Sequence, residues 1–475
     1  MKEIEDSEIY NEYSDVVFKS FPFDGIIKEI QTLLKEAGLK RLVIFFDDYS
    51  ELNILDQRLF VDVILSPLNN ASNECVKLKI AGYPGRVYYG RIDPSKASTI
   101  SLDFFDLYEA AEFQEMERSA VDYTNRLLET RFSAFEAPMD EYFDTSIADL
   151  NEYTTLLFQS SFNVPRIIGH ILHQCYLDKV SKNQKITLAA IRLAAKKYYE
   201  GTILQYFDRM NRYALEPFER KLDRHNQNQL LMHMVKEMRS VRKGIVDGSI
   251  GGGYFKGLRT PPTSHFIVSK ELESVLSSLE ANFFISKYKN MRDKTGKKVS
   301  VYAMFLGLTE SERMSWGYPL GRHFRNYFVQ RCFDFTRTVH EYLSSNQTIR
   351  CGRCGHCFPL EQKVSLELYK WKCPECTEGV CTIVSLSDDF RQEVESLKKE
   401  IMLEPVELEI LTTLEQENRK MRAGEVASLI DNTHQLVGRR TSKLQDMGLV
   451  QKDRDEDSKM RSEITERAIK TYFTE

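Results

Sequence analysis

Apolar positions first recur with helical spacing between Ile26 and Ala37, where Ile27, Ile30, Leu33 and Leu34 share one face of a 3.6-residue repeat. The run Arg41 to Phe46 (RLVIFF) is short and continuously apolar, which predicts a strand buried on both faces of a parallel sheet. A second helix is expected from Ile54 to Leu65 and a second strand from Val76 to Ala81, ending in the turn GYPGR. ISLDFF, from Ile100, reads as a further short strand. Strand, helix, strand and short strand together are the rhythm of a doubly wound sheet.

From Tyr108 to about Leu222 the pattern is helical throughout. One helix begins at Asn163-Val164-Pro165, with proline in the first turn, where its missing N–H is tolerated; Ile167, Ile168, Ile171, Leu172 and Cys175 form its apolar face. Another starts from a Thr187 cap and carries Leu188, Ile191 and Leu193. The Gly- and Pro-rich stretch Gly248 to Pro262 reads as a loop or linker. Beyond it, Ser269 can cap a helix bearing Leu272, Val275, Leu276 and Leu279, and FFISKYKN and KKVSVYAM flank the turn Asp293 to Gly296 as a hairpin. In the last 70 residues, helices at 406–417, 423–430 and 433–447 precede Gly448, a charged hairpin at 450–465 and a final short helix.

Composition narrows the class. A chain of 475 residues is expected to hold several domains, and 42% hydrophobic with 28% charged residues is a globular balance. With 65 Lys+Arg against 70 Asp+Glu the formal charge is −5, so a nucleic-acid surface must be a local patch. The chain has no apolar run near the ~20 residues of a membrane span, and its acidic start lacks a signal-peptide layout; a cytoplasmic location is expected. Six of the nine cysteines fall between Cys351 and Cys381, a clustering that points to metal rather than disulfides.

The cysteine segment carries the most specific signal. Cys351-x-x-Cys354 and Cys373-x-x-Cys376 form two knuckles able to close four thiolates tetrahedrally around a structural Zn²⁺, with no open position for catalysis. Cys357, Cys381 and His356 are spare donors that could replace one of the four. The bland alternative is a set of reduced thiols. Along the lid helix, His170 and His173 lack metal partners in sequence, and Lys236 to Gly244 (KEMRSVRKG) reads as a solvated helix face.

LVIFFDDYSEL resembles a Walker B strand, an apolar run ending in Asp47 and Asp48 at the carboxyl edge of a sheet, where ligands bind in such folds. With the strand ending near Tyr83 and Arg86 and the helix start Asn163-Val164-Pro165-Arg166, residues 20 to 310 resemble the STAND and origin-recognition branch of AAA+ ATPases. The resemblance implies that Asp47 binds the Mg²⁺ of ATP, that Asp48 orients the attacking water, and that Arg166 reaches the phosphates as a second sensor. Gly82 and Tyr83 stand where the family's first sensor carries a polar residue. The family's P-loop, G-x-x-x-x-G-K-[ST], is absent, so the chain is expected to be an N-terminally incomplete ATPase, or to have a nucleotide site that is degenerate or completed by a partner. A homo-oligomer or a partner chain supplying the P-loop would follow, and enzymatic activity is left open.

The C-terminal QLVGRRTSKLQDMGLV and the charged segment after it resemble a MarR-type winged helix. That likeness implies DNA contacts from Gln435, Arg439, Arg440 and Lys443 in the groove or on phosphates, and from Arg454, Lys459 and Arg461 in the wing. From Leu403 to Glu475, however, 12 Lys+Arg face 15 Asp+Glu, a net of −3, so protein contact is the competing use of this unit. The expected architecture is multidomain α/β plus α. It comprises a partial AAA+-like parallel sheet (1–107), a helical lid (108–222), a winged-helix-like domain (223–345), a zinc ribbon (346–385) and a winged helix-turn-helix (400–475). The function this implies is a nucleotide-responsive DNA-binding regulator. The alternatives are a non-enzymatic DNA binder with a degenerate ATPase fold, or a protein-interaction scaffold.

Overall fold

The computed structural model describes residues 23–70, 75–90, 92, 95, 97–108, 113–208, 216–218, 222–293, 296–386, 403, 405–430, 432–454 and 459–473. It is a mixed α/β chain with small, separate sheets. Among the described residues, no helix is long and apolar enough to cross a membrane.

The first unit contains α1 (Phe23–Glu36), β1 (Leu42–Phe46), α2 (Ile54–Phe60) and β2 (Val76–Ile80). β1 and β2 pair in parallel, in register from Leu42 opposite Val76 to Phe46 opposite Ile80. Ile27, Leu68 and Val76 pack with Leu42, Ile44, Ile64 and Leu78 on one side of the pair. Side chains alternate along a strand, so Val43 and Phe45 point the other way, and Phe45 is 75% exposed. Burial on both faces is therefore corrected to burial on one: the helices of this unit cover a single side of the sheet.

ISLDFF is not a strand. Phe104–Leu107 forms one helical turn, and Phe104 leaves the sheet unit to pack on Phe158, Phe162 and Tyr288 at ring distances of 5.2–6.1 Å. Aromatic burial in the next unit outweighs strand pairing there, while Ile100 and Leu102 stay exposed.

The central body has one core running from Phe104 to Leu386. Its helices include α3 (Phe113–Ala134), α4 (Leu150–Gln159), α5 (Pro165–Asp178) and α6 (Leu188–Tyr198). An Asp149–Glu152 capping box starts α4, Pro165 opens α5, and Thr187 caps α6 by accepting from the Ala190 N–H at 3.2 Å. α7 (Arg224–Asp247) follows, then β3 (His265–Ser269), α8 (Glu273–Ala281), β4 (Ile285–Arg292), β5 (Lys298–Met304), α9 (Leu306–Ser311) and α10 (Thr336–Ser345).

The sheet order is β3-β5-β4, all antiparallel. The hairpin expected around Asp293 is β4–β5. β3, five residues buried throughout, was not flagged by periodicity because a short, fully buried strand carries no alternation. Ser269 does not cap α8: its hydroxyl donates to Glu271, and the helix begins at Glu273. At the α6–α9 crossing, a Cβ on Gly307 would press into the Ala195 carbonyl, 2.8 Å from its carbon.

Two ionisable groups in this core give opposite pH dependences. Burial pushes the His265 imidazole down to about 3, inside a box of Tyr288, Trp316, Phe324 and Phe328 rings. From pH 6.5 downward the unfolded chain holds a proton there that the folded chain refuses, so stability falls with acid. Burial raises the Glu280 carboxyl to about 7; Asp103 and Glu273 reinforce the rise, and the Lys287 N–H and charge oppose it. Between about pH 4.5 and 7 the folded chain keeps a proton the unfolded chain has lost, so stability falls as pH rises through that window. Glu280→Gln is expected to stabilise at pH 8 by on the order of 2 kcal/mol and to change little at pH 5. Thermal melts at the two pH values check this; an equal shift at both would refute it.

The cysteine unit is a three-stranded antiparallel sheet in the order β7-β6-β8, from β6 (Gln347–Cys351), β7 (Cys357–Phe358) and β8 (Cys381–Ser385). It joins the body through Asp223, the N-cap of α7. One Asp223 oxygen accepts from the Asn226 N–H at 3.0 Å, and the other from the Asn226 side-chain amide (2.7 Å) and the Thr348 hydroxyl (3.2 Å).

The last unit has its own core, centred on Ile410, Leu411, Val437 and Leu444. It contains α11 (Pro405–Glu417), α12 (Ala423–Leu429), α13 (His434–Asp446) and a hairpin of β9 (Val450–Arg454) and β10 (Met460–Ile464). The acidic wing residues Asp455, Glu456 and Asp457 lie outside the described residues.

Candidate functional site

The cysteine knuckles converge. Cys351, Cys354, Cys373 and Cys376 place their sulfurs within 4.8 Å of one another, with Cys351–Cys376 and Cys354–Cys373 separations of 3.7 Å. A tetrahedron with metal–sulfur bonds of about 2.3 Å has edges of about 3.8 Å, so these four residues could hold a metal ion. Tight turns aim the thiols: the Gly355 N–H donates to the Cys351 carbonyl and the Thr377 N–H to that of Cys373. The Arg353 N–H points at the Cys351 sulfur (3.4 Å) and the Gly379 N–H at that of Cys376 (3.3 Å), donors suited to thiolate charge. At residue 379 a Cβ would lie 3.0 Å from the Cys376 sulfur and closer still to that of Cys351, so only glycine fits.

The spare donors separate. Cys357 faces the Gly355 carbonyl and accepts from Arg350, and His356 packs its ring on Phe358 at 4.6 Å. Cys381 pairs across the sheet with Cys351 and lies buried beneath the cluster, where burial pushes its thiol up to about 12. Its sulfur is not one of the four that converge.

At the carboxyl edge of the parallel pair, Asp47 and Asp48 are both exposed. Asp48 adopts a left-handed conformation (φ 52°), and its N–H donates to the Asp47 carboxylate at 3.0 Å. The neighbouring loop is pinned. Ser50 accepts from the Tyr83 N–H at 2.6 Å, and buried Gln57 donates to the carbonyls of Tyr49 and Arg86 and accepts from the Tyr88 N–H. Gly82 has Val87 packed so closely that a Cβ there would collide. Arg86 bridges outward: its guanidinium donates to the carbonyls of Ser50 and Glu216, both at 2.7 Å, and lies over the Phe218 ring at 4.8 Å. Arg86 is a structural strap between the sheet unit and residues 216–218, a role sequence reading missed because Ser50 and Glu216 lie 36 and 130 residues away. Arg166 sits exposed near the first turn of α5, its charge felt by Tyr198, and among the described residues no hydrogen bond or ion pair joins it to Asp47 or Asp48.

In the C-terminal unit, Gln435 and Arg439 lie exposed on α13, opposite its buried face of Val437, Thr441 and Leu444. Arg440 and Lys443 have another engagement: both donate to the same Glu407 oxygen, at 3.2 and 2.9 Å, and the Glu407 side chain is fully buried. Lys452 of β9 reaches the Ser442 hydroxyl at 2.7 Å, tying the hairpin to the helix. Arg454 and Lys459 are exposed on the hairpin, and Arg461 stands opposite Asp453. Of the basic run after Lys236, Arg239 pairs with Glu312 and Arg242 donates to the Arg313 carbonyl, so both brace the body. No family model, curated protein or solved structure matches the chain.

Proposed function

We propose that the protein is a DNA-binding regulator: a MarR-like winged helix reads the duplex, a structural Zn²⁺ in the four-cysteine site holds a ribbon against the body, and the N-terminal α/β unit answers to nucleotide. The observation that carries the reading is the outward face of α13. Gln435 and Arg439 stand exposed there beside a hairpin of mixed charge that carries Arg454 and Lys459, while the rest of the helix is anchored in a core. A helix 10–12 Å across fits a major groove about 12 Å wide, and Arg and Gln are side chains that pair bidentately with guanine and adenine edges.

The partial AAA+ resemblance supplies the nucleotide part. Asp47 and Asp48 stand at the carboxyl ends of parallel strands, where Mg²⁺ would be held, and phosphate-binding groups would have to come from elsewhere. Bound nucleotide could shift the downstream units only by its differential affinity for their arrangements.

The test is duplex binding by the full chain over a salt series, with and without Mg-ATP. Affinity is expected to fall steeply with salt, and Arg439→Ala to lose about tenfold or more. Absence of salt-sensitive duplex binding overturns the DNA reading and favours a protein scaffold. Binding that ignores ATP and survives Asp47→Asn unchanged removes the nucleotide part alone.

A further inference from the structure

A cleft of about 960 Å³, with basic and imidazole groups among its lining residues, opens between the central body and the C-terminal unit. One bank is a face of α7, with His233 and Lys236; the other is a face of α10, with Arg337 and His340; Lys443 of α13 closes the side. These residues recur three to four apart on each helix, so each helix turns one continuous stripe toward the cleft. The two carboxylates at hand are already committed to cations: Glu341 to Arg337 at 2.6 Å, and Glu407 to Lys443 at 2.9 Å. Lys236 adds a further positive charge, and the imidazoles and Asn346 supply neutral polar groups. With Lys236, Arg337 and Lys443 against the single lining carboxylate Glu341, the excess of positive charge suits an anion.

We propose that this cleft carries a run of backbone phosphates from the same duplex that α13 reads; the inference rests on the DNA-binding reading above. The argument is geometric. A recognition helix fills the width of a major groove, so one phosphate strand must pass along each of its flanks. Four residues beyond Arg439, Lys443 is rotated only about 40° around the helix from it and marks the flank that faces the body. The strand on that flank has one place to run, between Lys443 and the stripes of α7 and α10. Lys236 and Arg337 are then phosphate contacts that set the register of the body on DNA and carry no sequence information. The body–C-terminal arrangement, joined by the Arg331–Glu409 ion pair, becomes a clamp on one strand.

The experiment is fluorescence anisotropy of the full-length protein with a labelled duplex at several salt concentrations, comparing wild type, Arg439→Ala and the double variant Lys236→Gln/Arg337→Gln. Both replaced side chains are at the surface, and a thermal melt confirms that the double variant is folded. The double variant is expected to bind about tenfold or more weakly on every duplex tried, with a salt slope smaller by nearly 2. Arg439→Ala should instead weaken binding unequally across sequences. If the double variant keeps wild-type affinity and slope while Arg439→Ala is weakened, the cleft proposal is wrong and the DNA reading stands. If its affinity rises, the cleft shields α13 and the proposal is equally wrong. If wild type fails to bind duplex at all, both readings fall together.

Discussion

Cys373→Ser is expected to leave the purified protein with less than about a tenth of the zinc that wild type retains, against about one ion per chain for the intact four-thiolate site. Cys373 is buried within the cluster, 3.7 Å from the Cys354 sulfur, and a serine hydroxyl there is a far weaker donor to zinc than a thiolate. Structural zinc contributes on the order of 10 kcal/mol to the folding of small units, and two of the six buried side chains of this one, Cys351 and Cys373, are themselves in the four-thiol group. The ribbon should therefore unfold locally rather than persist in an empty form. Metal analysis together with limited proteolysis around residues 351–381 reads both effects. Cys357→Ser is the control, because its sulfur faces the Gly355 carbonyl and is not one of the converging four, so metal content should stay at the wild-type level. Full metal retention in Cys373→Ser would show that the four-cysteine assignment is wrong, and loss in Cys357→Ser would show that the ligand set is.

Gly307→Ala should cost on the order of 3 kcal/mol and lower the melting temperature of the central body by several degrees. A methyl group is a small addition, but its neighbour here is the backbone carbonyl of Ala195 within α6, together with the Phe305 ring at 2.7 Å. A ring can rotate; a carbonyl in mid-helix can move only if the helix moves. The helices α6 and α9 would have to separate, opening a core that includes Ala194, Ala195, Leu306 and Leu308 on the two sides of the crossing. A thermal melt of the variant checks this, with Gly253→Ala, in open space, as the reference substitution. Equal melting temperatures for the two would mean that the crossing is looser than the packing implies.

How far the chain could be read in advance depended on the range of the interactions involved. The parallel pair ending in Asp47 and Asp48, the Thr187 and Pro165 helix starts and the β4–β5 hairpin follow from local pattern, because period, caps and turn residues are written within a few positions of one another. The four thiols were legible for the same reason, two short knuckles being enough to direct them. What sequence could not show was pairing at a distance. Nothing near Phe45 says that helices would cover only the opposite face, and nothing near Phe104 says that its partners are Phe158 and Tyr288. Glu407 lies 33 and 36 residues from the two cations it holds, so Arg440 and Lys443 looked like uncommitted DNA contacts. The cleft beside α13 is assembled from three helices distributed over more than 200 residues, and no window of the sequence contains it.

The sharing of Asp223 sets how this protein can be taken apart. One carboxylate starts the 24-residue helix at the centre of the body and also holds Thr348 on the first strand of the cysteine sheet. A cassette cut at the boundary before residue 346 would take Asp223 away from the ribbon and leave the Thr348 hydroxyl with only the Phe358 carbonyl of its own sheet, at 3.0 Å. The seam between the two units is therefore drawn through a side chain rather than through a linker. An engineer who wanted the ribbon as a portable module would have to carry the beginning of α7 with it.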